Sequence, residues 1–154
     1  MTDLDRLSRI VPAPDAPVRP AAADLSLPAD YQALIARYGV GNLAGLRLLG
    51  PADIPQQATR QRSALEALIE AGIELPYAPA DLLPWGIDEA GNVVWWLTRG
   101  DWPVVANEAR GEAWHRHDGG AVSFLVALLS GAEHSDFLVI EGDDFEPYDS
   151  GPVS

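Results

Sequence analysis

Apolar residues recur at helical spacing in four stretches of the chain and at strand spacing in its middle, and the elements follow from that change of period. Leu4, Leu7, Ile10 and Val11 share one face of a short first helix. Thr2 is placed to cap it, Asp3 and Asp5 fall in its first turn, and Pro12 stops it. Pro12, Pro14, Pro17 and Pro20 then set an extended connector. Leu27, Tyr31, Leu34, Ile35 and Tyr38 form the next helical stripe, opened by Pro28 and Asp30 and closed by Gly39. A third helix, about Gln57 to Ala71, aligns Leu65, Leu68 and Ile69 and ends at Gly72. A fourth runs from Ala121 to Leu129, with Val122, Leu125, Val126 and Leu129 as its buried face and Gly131 past its end.

The strand signals lie between these helices. Leu43 to Leu49 reads as one strand, and Phe137 to Ile140 as a late strand or extended segment. The densest signal runs from Leu83 to Asn107, where Trp85, Trp95, Trp96 and Trp102 sit among β-branched residues and two acidic, Gly-containing turns. Trp114, His115 and His117 share a further short strand, broken by Gly119 and Gly120. Side chains alternate along a strand, so Val93, Trp95 and Leu97 face one way and Val94, Trp96 and Thr98 the other. The first set is uniformly apolar. It places Trp95 in the core and leaves Trp96 on the opposite face, covered by a loop or open to a partner. A two-residue Gly100-Asp101 turn would pair Leu97 with Val104; a three-residue Arg99-Gly100-Asp101 loop would shift the register by one.

Consecutive strands with short turns, and helices before and after them, indicate a single α+β domain: a mainly antiparallel β-sheet with helices packed on one face. The expected divisions are residues 1–20, a short helix and Pro-rich connector appended to the domain; 21–147, the domain itself; and 148–154, a loose acidic tail.

Composition narrows the chemistry. The formal charge is −13 with a sequence pI near 4.3, and all ten basic residues are Arg. An acidic chain lacks the basic footprint that nucleic acid requires. The absence of Lys excludes Schiff-base and phosphate-loop lysines, and the absence of Cys excludes disulfides and thiolate chemistry. The longest apolar run, Ala121 to Leu129, is shorter than the roughly 20 residues that span a bilayer. Asp3 and Asp5 stand where a signal peptide would be basic. A cytoplasmic protein without membrane contact is expected. The acidity favours basic partners, although solubility alone also accounts for it.

Candidate chemistry is sparse. His115 and His117 would share a strand face, with Glu112 or Asp118 near, but two histidines fall short of the three or four ligands of a metal site. Ser123 lies near them in sequence without a nucleophile-elbow motif, and capping or helix packing accounts for it. No catalytic residue, metal or cofactor is expected. Asp88, Glu89 and Asp101 mark the hairpin turns, and Asp143, Asp144 and Glu146 cluster in the tail without a calcium-loop pattern. Turn chemistry explains Asp and Gly there; the alternative is an acidic, aromatic contact surface that also uses Trp96 and Trp102.

The order of motifs resembles the SUKH superfamily of bacterial toxin-immunity proteins and fungal cell-wall synthesis regulators. The residues that carry the likeness are Leu27-Pro28-Ala29-Asp30-Tyr31, Tyr38-Gly39-Val40-Gly41, Leu83-Pro84-Trp85-Gly86, Asp88, Gly91-Asn92, Trp95-Trp96, Trp102-Pro103-Val104-Val105, and Phe124, Leu125 and Leu128. Members often have a longer helix with a Trp before the Leu-Pro motif, for which Ala21 to Ser26 leaves little room. The resemblance implies an α+β fold and a non-enzymatic protein that neutralises a toxin by direct binding. A toxin domain with a basic surface, such as a nuclease, would suit the acidity. A regulatory scaffold or small-ligand module with no toxin partner is the alternative.

Overall fold

The computed structural model describes residues 1–20 and 26–147, so the expected loose tail lies outside the described residues. Among the described residues four α-helices, α1 (Asp3–Ile10), α2 (Ala29–Tyr38), α3 (Ile54–Glu70) and α4 (Ala121–Leu129), accompany one sheet. Its strands are β1 (Gly41–Leu43), β2 (Leu46–Leu48), β3 (Leu82–Asp88), β4 (Val93–Leu97), β5 (Val104–Asn107), β6 (Trp114–His117) and β7 (Phe145–Pro147). The seven strands stand in the order β6-β5-β4-β3-β2-β1-β7, and every neighbouring pair is antiparallel. The domain is α+β, as the pattern indicated.

The Trp-rich ribbon forms the middle of the sheet. Trp96 pairs with Val104 and Trp95 with Val105, the register of the three-residue Arg99-Gly100-Asp101 loop. Between Pro84 and Gly86 the β3–β4 register slips by one residue. This bulge turns Trp85 onto Trp96, with ring centroids 6.1 Å apart. Tyr31 of α2 meets both indoles edge-on, at 5.8 and 5.0 Å, and Phe124 of α4 meets Trp85 at 6.3 Å. The Tyr31 hydroxyl donates to the carbonyl oxygens of Leu49 and Trp85, tying helix to sheet. Gly86 packs closely on Leu46: a Cβ there would lie 3.0 Å from three Leu46 side-chain atoms, so the leucine would have to shift.

Helices cover both faces, where a single covered face was expected. α1, α2 and α4 pack with Trp85, Val94, Trp96 and Val104, while Leu65 of α3 packs with Leu82, Val93, Trp95 and Val105 on the other side. Trp95 and Trp96 are therefore both fully buried, and Trp96 is not open to a partner. The unbroken apolar run Val93 to Leu97 fits a strand buried on both faces.

Four further expectations are corrected. α1 is no appendage: Leu7 and Val11 are fully buried, and the Tyr38 hydroxyl donates to the Val11 carbonyl oxygen at 2.5 Å. The single strand expected over Leu43 to Leu49 is a hairpin, β1 and β2, turned by Ala44 and Gly45 at φ 52° and 88°. The last strand is Phe145–Pro147, and 137–140 belongs to no strand among the described residues. On α3 the buried residues are Ile54, Gln57, Ala58 and Leu65, and Ile69 is exposed.

The α1 cap carries a pH dependence. The Thr2 backbone N–H, then the Thr2 hydroxyl, then Arg37 hold the Asp5 carboxyl down to about 2 from its usual 3.8. A depressed carboxyl stabilises the fold above its unfolded pKa and loses that contribution as pH falls through the folded one. Asp5→Asn should therefore lower the melting temperature more at pH 7 than near pH 2, where about half of the folded carboxyl is already protonated. Thermal melts at both pH values check this.

Candidate functional site

The acidic segment 143–147 folds back onto the sheet. β7 pairs with β1, opposing Gly41 with Pro147 and Leu43 with Phe145. A Cβ on Gly41 would fall 2.4 Å from the Glu146 carbonyl oxygen, so glycine permits this close approach. Phe145 packs its ring on Tyr38 at 5.3 Å. Just before β7, the Ala44 N–H donates to the Asp144 carbonyl oxygen at 2.8 Å and the Glu141 N–H donates to the Ala44 carbonyl oxygen at 3.0 Å. The β1–β2 turn is thus clasped by the loop that carries the carboxylates.

The result is a cleft of about 340 Å³ lined by Glu89, Glu141, Asp143, Asp144 and Glu146 with Asn42. Its five carboxylate residues are all exposed. Of the residues singled out from sequence, Glu89, Asp143, Asp144 and Glu146 come together here; Glu141 was missed, because its place depends on the clasp around Ala44. A cluster of one sign of charge in a cleft attracts a cationic partner.

The other candidates lie elsewhere. Asp88, 5 % exposed, is a hydrogen-bond centre and not a contact residue. Its Oδ1 accepts from the N–H groups of Ala90 (3.0 Å) and Asn92 (2.9 Å), and its Oδ2 from Asn92 Nδ2 and the Val139 N–H (both 2.8 Å). Asn92 Nδ2 also donates to the Phe137 carbonyl oxygen at 2.9 Å, and its Oδ1 accepts from the Ala109 N–H at 2.8 Å. Asp88 thus secures the turn that presents Glu89 and anchors 137–139 beside it. Trp102 is half-buried at φ 55°, its ring tilted on Trp96 at 5.9 Å. Asp101 is exposed beyond the far end of β4, across the length of that strand from Glu89. It lines a separate groove of about 560 Å³ with Arg99 and Arg116.

The two strand histidines share one partner that sequence spacing did not reveal. His115 Nε2 lies 2.7 Å from Glu133 Oε2, and His117 Nδ1 lies 2.9 Å from Glu133 Oε1. Burial pushes the Glu133 carboxyl up, but the hydrogen bonds from His115 and His117 outweigh it and hold the group below its usual range. Asp118, the acid weighed as a possible ligand beside them, pairs instead with Arg116 at 2.7 Å. On its far side, His117 Nε2 lies 2.8 Å from Ser123 Oγ, whose single proton has the Gly120 carbonyl oxygen as a second acceptor in reach, at 3.1 Å.

No helix among the described residues is long and apolar enough to cross a membrane. No protein-family model, no curated protein and no solved structure matches this chain.

Proposed function

We propose that this is a cytoplasmic protein-binding domain whose acidic cleft docks a partner with a basic surface, and that the partner is a bacterial toxin domain such as a nuclease, held inactive by direct contact. One observation carries the reading: Glu89, Glu141, Asp143, Asp144 and Glu146, from two distant stretches of chain, are gathered on one exposed cleft of a protein of formal charge −13. Complementary potentials of this kind speed association and reject wrong partners. The cleft rests on the Asp88–Asn92 hydrogen bonds and the Ala44 clasp, so its carboxylates are presented by ordered backbone.

The SUKH resemblance supports the same direction. Leu83-Pro84-Trp85-Gly86 lies within β3, Asp88 and Asn92 frame the turn under the cleft, and Trp95-Trp96 lies within β4. The test is co-expression with the toxin-like product of an adjacent gene, scoring growth and co-purification. Rescue with a stable complex is the expected outcome. A folded protein that neither binds nor protects would sink the proposal and leave the regulatory or small-ligand alternative.

A further inference from the structure

We propose that Ser123 is an activated nucleophile, taking the acyl group of a small carboxylic ester with His117 as its general base and Glu133 as the residue that orients that base. The three side chains stand in hydrogen-bond order, Ser123 Oγ to His117 Nε2 at 2.8 Å and His117 Nδ1 to Glu133 Oε1 at 2.9 Å. A carboxylate only accepts, so the proton of a neutral His117 sits on Nδ1 and leaves Nε2 free to take the Ser123 proton. His115 holds the other oxygen of Glu133 at 2.7 Å, and the Phe124 ring lies against both imidazoles, at 5.8 and 5.4 Å, so the base is fixed from two sides.

The backbone leaves room for this pair. A Cβ on Gly119 would fall 2.6 Å from Ser123 Oγ and 2.7 Å from His117 Nε2, so only glycine clears both atoms. Ser123 also lines a cavity of about 600 Å³ between α1, α2 and the start of α4, bordered by Asp30, Arg37 and Gly120. This cavity shares no lining residue with the acidic cleft, and the chemistry is independent of toxin binding.

Ser123 Oγ attacks the ester carbonyl carbon, its proton passes to His117 Nε2, and the alcohol departs with that proton, leaving an acyl-serine. Water, deprotonated by the same nitrogen, then releases the acid and restores the serine. Asp30 Oδ2 already accepts the Val122 N–H at 3.2 Å, so this donor at the start of α4 is not offered to the developing oxyanion. Both half-reactions are therefore slow, and an activated ester with a good leaving group should acylate Ser123 faster than water clears the acyl group, so the acyl-serine accumulates.

The full chain treated with p-nitrophenyl acetate should give a nitrophenolate burst of about one equivalent, with acetyl mapped to Ser123 by peptide mass spectrometry. Ser123→Ala should abolish the burst, and His117→Gln should slow it about 100-fold or more, the usual span for a general base. Glu133→Gln should slow it while moving the acid limb of its pH–rate profile, which a purely structural residue would not do. Gly119→Ala should block it with the fold intact by circular dichroism. A burst unchanged in Ser123→Ala, acetyl found only at other residues, or no burst at all from the folded protein would overturn the assignment.

Discussion

Trp96→Ala is expected to cost about 3 to 5 kcal/mol of folding stability, the range for removing a large buried aromatic side chain. Trp96 is fully buried, with Trp85 stacked on it, Tyr31 edge-on and Trp102 tilted against it, so truncation opens a cavity bounded by rings that the sheet and α2 hold in place. Trp96→Phe should cost less. Part of the lost packing is offset because the Trp96 indole N–H is buried without an acceptor among the described residues, and phenylalanine removes that polar group. Urea denaturation of the two variants reads the difference. A surface Trp96 would instead leave stability within about 0.5 kcal/mol of the parent.

Asp88→Asn is expected to cost roughly 3 kcal/mol despite its nearly unchanged shape. Each Asp88 oxygen accepts two N–H groups, so whichever one becomes an amide NH₂ faces two donors. Buried donors left without an acceptor each cost about 1 to 3 kcal/mol. The neighbouring Glu89 is exposed, and Glu89→Gln should stay within about 0.5 kcal/mol. Hydrogen exchange at the Val139 amide gives the local readout: protection should fall in Asp88→Asn and hold in Glu89→Gln. This pair separates a carboxylate that builds the cleft from one that serves it, although the two are adjacent in sequence.

Local rules recovered the elements that local chemistry determines. The Thr2–Asp5 capping box, Pro28 as the N-cap of α2, and Gly39 at its end are each set by residues within one turn. The β1–β2 turn escaped because its first position is Ala44, an L-residue at φ 52° where Asn or Gly would have announced the hairpin. The burial of Trp96 was legible in Val93 to Leu97, whose unbroken apolar run outweighs alternation, but the helices α2 and α4 that cover it are brought over by tertiary packing. Phe145–Pro147 has little strand signal of its own; it is a strand because β1 offers a free edge and Gly41 admits its backbone.

The candidate site divides in the same way. Glu89, Asp143, Asp144 and Glu146 were visible as exposed turn and tail carboxylates, yet their meeting depends on β7 docking and on the Ala44 clasp. Asp101 carries the same turn signal as Glu89 but belongs to the hairpin end at the other end of β4. Glu133 gave no sequence signal for the histidines. It follows α4 in a turn where its N–H donates to the Ala127 carbonyl oxygen at 2.9 Å, and that turn carries its side chain back over β6.

The central claim is that the cleft carboxylates steer and hold a basic partner. The test compares association with the proposed basic partner across ionic strength for the parent and for a variant carrying Glu89→Gln, Glu141→Gln, Asp143→Asn, Asp144→Asn and Glu146→Gln. At low salt the parent should associate roughly 10 to 100 times faster, and the two rates should converge as salt screens the field. Equal rates at every salt concentration, with the variant folded, would contradict the account.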